Sequence, residues 1–213
     1  DGPRSLISRK LGNKPGKNCV AMQHELVLAR PLEHACIYFD PAYYGGYAWV
    51  FPKGRTANIG MAVHASLAGK LKELLNRFCE EMASVQVVRE GGACGRQTGG
   101  LIPSAGLVER LAGGHMLLAG DAAGCTNPIT GAGIVAAVVS GQLAATAVLE
   151  ERRGDLPVLA EKYPRILTAE YGQQLARARS RFLVRERDWS SDRQEFIGLI
   201  RRSWIAFAEY YAQ

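Results

Sequence analysis

No C-x-x-C pair occurs in this sequence. Its five cysteines, Cys19, Cys36, Cys79, Cys94 and Cys125, are odd in number and scattered, which argues against a disulfide framework and fits a reducing compartment. His24, His34, His64 and His115 lack ligand-like spacing as well, so no metal site is expected. Aromatic residues make up only 8%, which disfavours an aromatic-rich sandwich, while the 24 glycines suggest close backbone approaches. Internal repeats and low-complexity segments are missing, and no secretory leader is expected from the opening residues. The chain opens on Asp1 rather than Met, as expected of a processed chain or a fragment of a longer one. Its one long uncharged run, 133–149, includes Ser140 and Gln142 and is rich in Ala and Gly rather than Leu. That is marginal for a membrane span, and a buried helix is expected instead. Ala137, Gly141 and Ala145 recur there at every fourth position, which would let a neighbouring backbone come close.

What is present suits a globular chain: 213 residues, 47% hydrophobic and 22% charged, enough for one large domain or two small ones. The formal net charge is +6. Much of the excess lies in Arg4, Arg9, Lys10, Lys14 and Lys17 at the start and in Arg177, Arg179, Arg181, Arg185 and Arg187 near the end. Both runs read as solvated faces. The basic residues do not interleave with aromatics along a strand set, so no nucleic-acid partner is expected.

Residues 20–28 alternate, with Val20, Met22, Leu26 and Leu28 on one side and Gln23 and Glu25 on the other, as in a strand with one wet face. Short strands are expected at 35–39, 46–51 and 56–63, the last two joined by a turn at Pro52-Lys53-Gly54-Arg55. Together they predict an antiparallel sheet. Ser66 would cap a helix whose Leu67, Leu71, Leu74, Leu75, Phe78 and Met82 share a face. A further strand is expected at 85–90, then a glycine-laden stretch, then an apolar strand over 116–119. A long apolar helix should run from about 131 to 151. Pro157 and Pro164 each suit a helix start, and Phe196, Leu199, Ile200, Trp204, Phe207 and Tyr211 mark a last amphipathic segment.

The most informative stretch is 120–134, Gly-Asp-Ala-Ala-Gly-Cys-Thr-Asn-Pro-Ile-Thr-Gly-Ala-Gly-Ile. A strand stops at an acid, a loop without bulky charge follows, and a helix begins at two glycines. Asp121 can accept hydrogen bonds from sugar-like hydroxyls. The helix start, with exposed N–H groups and a favourable dipole, suits a pyrophosphate or the charge of a reduced flavin. By period 2, Tyr47, Trp49 and Phe51 project to one face of a strand and form an aromatic wall suited to an apolar chain.

The order strand, Gly120-Asp121, Pro128, Gly131-Ala132-Gly133-Ile134, long helix resembles the second cofactor motif of FAD-dependent oxidoreductases of the aromatic-hydroxylase fold. The opening Asp1-Gly2-Pro3-Arg4-Ser5 resembles the Asp-Gly motif of that superfamily, which lies near the flavin pyrophosphate. Tyr47-Ala48-Trp49-Val50-Phe51-Pro52 resembles the Tyr-x-Trp-x-Phe-Pro motif of geranylgeranyl reductases, which lines the isoprenoid cavity beside the flavin. Gly99-Gly100-Leu101-Ile102-Pro103 is similar to that family's segment leading back to the flavin domain. The resemblance extends over residues 1 to about 190 and weakens in the last helix. It departs at the start: the family's βαβ unit with G-x-G-x-x-G and its Gly-Cys segment are missing, and none of the five cysteines takes the latter's role.

The resemblance implies an α+β architecture: an antiparallel substrate-binding sheet with a helix, the returning half of an FAD-binding α/β domain, and C-terminal helices. The implied division is 1–14 as a piece of the FAD domain, 15–102 as the sheet domain, 103–153 as the returning FAD segment and 154–213 as a helical region. The implied activity is FAD-dependent reduction of isoprenoid double bonds in a lipid or pigment, with NAD(P)H or reduced ferredoxin as electron donor. Gly2, Arg4, Gly120, Asp121, Pro128, Gly131, Ala132, Gly133 and Ile134 would bind FAD, and Tyr47, Trp49, Phe51 and Pro52 the prenylated substrate. No side chain stands out as the proton donor. A cytoplasmic enzyme is implied, with peripheral membrane contact through the Arg cluster and the aromatic end, and with the missing FAD-binding half in the same or another chain. Two alternatives are a flavoprotein–quinone electron-transfer oxidoreductase and a non-catalytic basic binding fragment.

Overall fold

The computed structural model describes residues 1–151 and 155–212. The chain divides into two compact units, one of Cys19–Leu101 with Asp188–Ile200, the other of Asp1–Asn18, Ile102–Arg187 and Arg201–Gln213. With its antiparallel sheet and its terminal helices the fold is α+β, as expected.

The first unit is built on β1 (Asn18–Leu28), β2 (Cys36–Tyr38), β3 (Tyr47–Lys53), β4 (Thr56–His64) and β5 (Val88–Ala93) in the order β2-β3-β4-β1-β5, with β6 (Thr98–Pro103) pairing β1. The β3–β4 hairpin turns on two residues, with Gly54 at φ +69° and no positive φ at Arg55, which fits the strand twist as a type II′ turn. Pro52 therefore belongs to β3 and not, as expected, to the turn. It lies opposite Ala57, beyond the stretch of β3 that β2 pairs, where its missing N–H costs no ladder bond.

Register sorts the sheet's two faces. Ala48, Val50, Ala57, Ile59, Met61 and Val63 are fully buried in one core with Leu71, Leu74, Leu75, Phe78 and Met82 of α2 (Leu71–Ser84). The expected helical face is the buried one, and Leu67 packs against it from a 3-10 turn. Ser66 does not cap: His64 does, its Nδ1 accepting the Ser66 N–H at 3.2 Å, because the chain first makes the 3-10 turn Ala65–Lys70. The strand expected at 85–90 starts three residues late, since Gln86 adopts φ +56° to end α2.

The second unit opens with a 3-10 turn, Gly2–Arg4, and α1 (Leu6–Lys10), capped by Ser5, whose Oγ accepts the Ser8 N–H at 2.9 Å. The strand expected over 116–119 shrinks to β8 (Met116–Leu117), because its partner β7 (Ala112–Gly113) offers only two residues to pair. A helical turn, α3 (Gly120–Ala123), then forms at the acid where a loop was expected. The long apolar helix is α4 (Ile134–Glu150). It is not the buried helix expected: Ala136, Ser140 and Ala147 are buried, while Ile134 is 85% and Leu149 77% exposed. A helix apolar on every side needs cover on every side, and here one side has it.

Pro164 starts no helix but lies inside α5 (Leu156–Arg187), whose stripe Tyr163, Leu167, Tyr171, Leu175, Ala178 and Phe182 is buried; Tyr163 Oη also donates to the Leu118 carbonyl at 2.5 Å. That packing outweighs the backbone hydrogen bond that proline removes. Pro157 sits in the first turn, where it is tolerated. The last amphipathic segment is helical only over α6 (Arg193–Ser203), with Trp204, Phe207 and Tyr211 beyond its end.

The late arginines are not a plain solvated face. Arg185 is fully buried, donating to Ser203 Oγ (3.2 Å) and to the Ser203 carbonyl (2.9 Å), with Trp204 5.6 Å away. Arg181 donates to the Tyr210 carbonyl at 3.0 Å, and Arg177 lies over the Tyr211 ring. These cations hold the C-terminal segment. Among the described residues no helix is long and apolar enough to cross a membrane, and no cluster of ligating side chains fits a metal.

Candidate functional site

In the second unit Arg4 and Asp121 line one cavity of about 280 Å³, together with Ser5, Ser8, Asn13 and Gly124. Arg9, Lys14 and Lys17 also line it, so four of the five early basic residues, exposed as expected, border one hollow. Among the described residues Asp121 is the only acid in the lining. It is half-buried in the first turn of α3, makes no ion pair among the described residues, and accepts the Thr126 hydroxyl at 2.5 Å. That bond leaves its second oxygen with acceptor capacity.

Gly131, Ala132, Gly133 and Ile134 line a second hollow of about 450 Å³ with Cys125, Tyr171 and Gln174. The predicted cofactor residues therefore divide between two hollows. Gly2, Gly120 and Pro128 line neither. Gly2 forms the opening turn at φ +70°; Gly120 starts α3 and donates its N–H to Ser140 Oγ at 2.9 Å; Pro128 is buried in the connecting loop. The hollows adjoin at Gly133, where an added Cβ would stand 2.4 Å from Thr126 Oγ1 and 3.3 Å from Asp121 Oδ1. Only glycine leaves the backbone at the start of α4 this near the carboxylate. Cys125, buried beneath the loop, has its thiol pushed up by that burial and stays protonated at neutral pH.

Thr126 and Ser140, which orient the carboxylate and the Gly120 amide, escaped the sequence reading; no spacing rule reveals which hydroxyl a loop will fold onto. Arg9, Lys14 and Lys17 left only a charge excess as their signal.

In the sheet unit Tyr47, Trp49 and Phe51 form a continuous wall. Their ring centroids are 5.8 and 5.7 Å apart, and Trp49 and Phe51 are stacked at 19°. Phe39 extends the wall at the Tyr47 end, 6.1 Å away. Pro52, by alternation, points to the other face. Opposite the wall β4 presents Ala62, Gly60 and Asn58, and β1 presents Ala21, Gln23 and Glu25 beyond them. The surface is thus aromatic on one strand and small or polar on the next two. Hydrogen bonding from Thr56, reinforced by Lys53, holds Glu25 below the usual carboxylate range.

Residues 20–93, which include this wall, match the family model described as the geranylgeranyl reductase catalytic domain. The chain is 36% identical over 160 residues to digeranylgeranylglycerophospholipid reductase 2 of Methanopyrus kandleri, covering 70% of this chain and 40% of that protein. It is 35% identical over 190 residues to the reductase of the same name from Methanococcoides burtonii, covering 82% and 44%. The chain spans about two fifths of the length of the curated relatives it matches. Among solved structures, a geranylgeranyl bacteriochlorophyll reductase-like protein from Thermoplasma acidophilum superposes with a TM-score of 0.76 at 22% identity, covering 96% of this chain and 58% of that one. A flavin-dependent halogenase superposes at 0.65 and 20% identity, covering 93% and 38%. The family match over residues 20–93, the relatives and the fold all make this chain similar to the geranylgeranyl reductase family.

Proposed function

We propose that the protein to which this chain belongs is an FAD-dependent oxidoreductase that reduces prenyl double bonds of a lipid, with NAD(P)H or reduced ferredoxin as electron donor. The relatives' names give the substrate class, and the flavin-dependent halogenase neighbour shares the fold. Bound FAD supplies the hydride chemistry. The observation that carries the reading is the Asp121 carboxylate, half-buried, free of ion pairing among the described residues and open to a cation-lined cavity.

The chain's own residues fit the riboflavin and pyrophosphate portion of such a cofactor. Asp121, oriented by Thr126, accepts from ribityl hydroxyls. Arg4, with Arg9 and Lys14 beside it, neutralises phosphate charge. The bare backbone at Gly131 and Gly133 lets a ring approach the uncapped N-terminus of α4. Tyr47, Trp49 and Phe51 hold the prenyl chain and exclude water. A βαβ unit for the ADP portion, in the same or another chain, completes the cofactor site.

The full-length protein should purify with a flavin absorbance band, and Asp121→Ala should weaken FAD binding about tenfold or more. FAD bound equally by the wild type and the variant would overturn the assignment of Asp121. A colourless protein that ignores added FAD would overturn the reading as a whole. Bleaching of the band by NAD(P)H, or only by reduced ferredoxin, identifies the donor.

A further inference from the structure

Two tyrosines share the buried stripe of α5, and the fold treats their hydroxyls differently. Tyr163 is fully buried and donates to the Leu118 carbonyl. Tyr171 is 9% exposed, yet its hydroxyl makes no hydrogen bond among the described residues. A buried phenol ordinarily finds a partner, because an orphaned one is costly. Tyr171 lines the hollow of about 450 Å³ at the start of α4, together with Ile134, Val135 and Ala136 of that helix. The first internal bond of α4 runs from the Ala137 N–H to the Gly133 carbonyl at 2.8 Å, and no side chain caps the helix. The three N–H groups before Ala137 therefore have no helical acceptor. Gln174, on the same side of α5 as Tyr171, adds a carboxamide to the lining. Burial pushes the Tyr171 phenol above its ordinary range, so it keeps its proton at neutral pH and remains a donor.

Among the described residues no charged side chain lines this hollow, in contrast to the cavity beside Asp121. A phosphate would find no cation here. The carbonyl oxygens of a neutral flat ring suit it better, since donors meet the oxygens while Ile134, Leu175 and Ile205 supply apolar walls. Resting on the flavin reading above, we propose that Tyr171 contacts the cofactor: its hydroxyl donates to a carbonyl oxygen of the flavin ring, with the Gln174 carboxamide beside it. Such a bond strengthens as negative charge gathers on the ring oxygens in the reduced cofactor, because hydrogen bonds to charged acceptors are the stronger ones. Tyr171 thereby favours the reduced cofactor over the oxidised one and raises its reduction potential.

The test uses the full-length protein and Tyr171→Phe, which removes the hydroxyl and nothing else. The variant should bind oxidised FAD about fivefold more weakly and reduced FAD about thirtyfold more weakly. That difference of about sixfold lowers the two-electron reduction potential by about 23 mV. Without FAD the variant should match the wild type in chemical denaturation, since its hydroxyl has no partner to lose. Ile205→Ala trims an apolar wall of the same hollow and should leave the potential where it is. Equal affinities or an unchanged potential in Tyr171→Phe overturn the proposal. So does an equal shift in Ile205→Ala, because Tyr171 would then act through packing. A flavin-free Tyr171→Phe protein that is destabilised, or fails to fold, overturns it as well, because the hydroxyl would then be bonded within the protein. If the wild type binds no FAD, the flavin reading fails and takes this inference with it; if FAD binds and only the Tyr171→Phe results disagree, the inference alone fails.

Discussion

Two helices, α2 and α4, solve burial in opposite ways. In α2 the apolar residues form one stripe; Leu75 and Phe78 are buried on the sheet, and Lys72, Glu73 and Glu80 occupy the outer side. In α4 nearly every position is apolar, one stripe is buried, and Ile134, Val135 and Leu149 are left largely exposed. An amphipathic period declares which side is covered. A helix without a polar side declares only that it tolerates cover, and the surrounding chain decides how much it receives.

Substitutions can widen or erase that contrast. Phe78→Ala should have the largest effect, about 3–5 kcal/mol lost in chemical denaturation, because a fully buried ring leaves a cavity in the sheet core. Gly124→Ala should follow at about 2–3 kcal/mol: its φ is +76° and its Cβ would stand 2.0 Å from the Gly106 carbonyl oxygen, so the loop after Asp121 must shift. Gly54→Ala, also left-handed at φ +69° but with nothing nearby, should cost about 1 kcal/mol of backbone strain alone. Ile134→Ser should change stability by no more than about 0.5 kcal/mol. A loss near that of Phe78→Ala would show that α4 is as covered as α2.

The smallest effect concerns pH. The folded-state pKa of Glu25 is lowered from 4.5, first by the Thr56 hydrogen bond and then by Lys53. Its contribution is therefore complete above the unfolded value and is lost as pH falls through the lower folded value. Glu25→Gln should flatten the acid limb of the stability curve below pH 4.5 and lower stability slightly at neutral pH, the two proteins converging in acid.

The sheet was legible because its chemistry is local. Alternation over 47–51 places three aromatic rings on one side whatever else the chain does, and the distances between them follow from strand geometry. The α2 face was legible for the same reason. The stretch 116–123 was not: an apolar run reads as a strand, but a strand lasts only as long as its partner, and β7 is two residues long. Pro164 misled because its local penalty was read without the packing of Tyr163 and Leu167 that outweighs it. Arg185 was read as solvated because nothing in its own segment shows that Ser203, 18 residues on, returns to accept from it.

By itself the sequence determined which groups exist and in what order: a carboxylate followed by small residues and a helix, an aromatic alternation ending in proline, and a basic opening. Only the tertiary structure decided that the basic opening and the carboxylate share one hollow while the glycines of α4 line another, that Thr126 orients the acid, and that the Trp49 N–H is buried without an acceptor. The reason is distance along the chain. Periodicity and capping act within a few residues, whereas the partners of a buried polar group are set by whichever remote segments the core brings together.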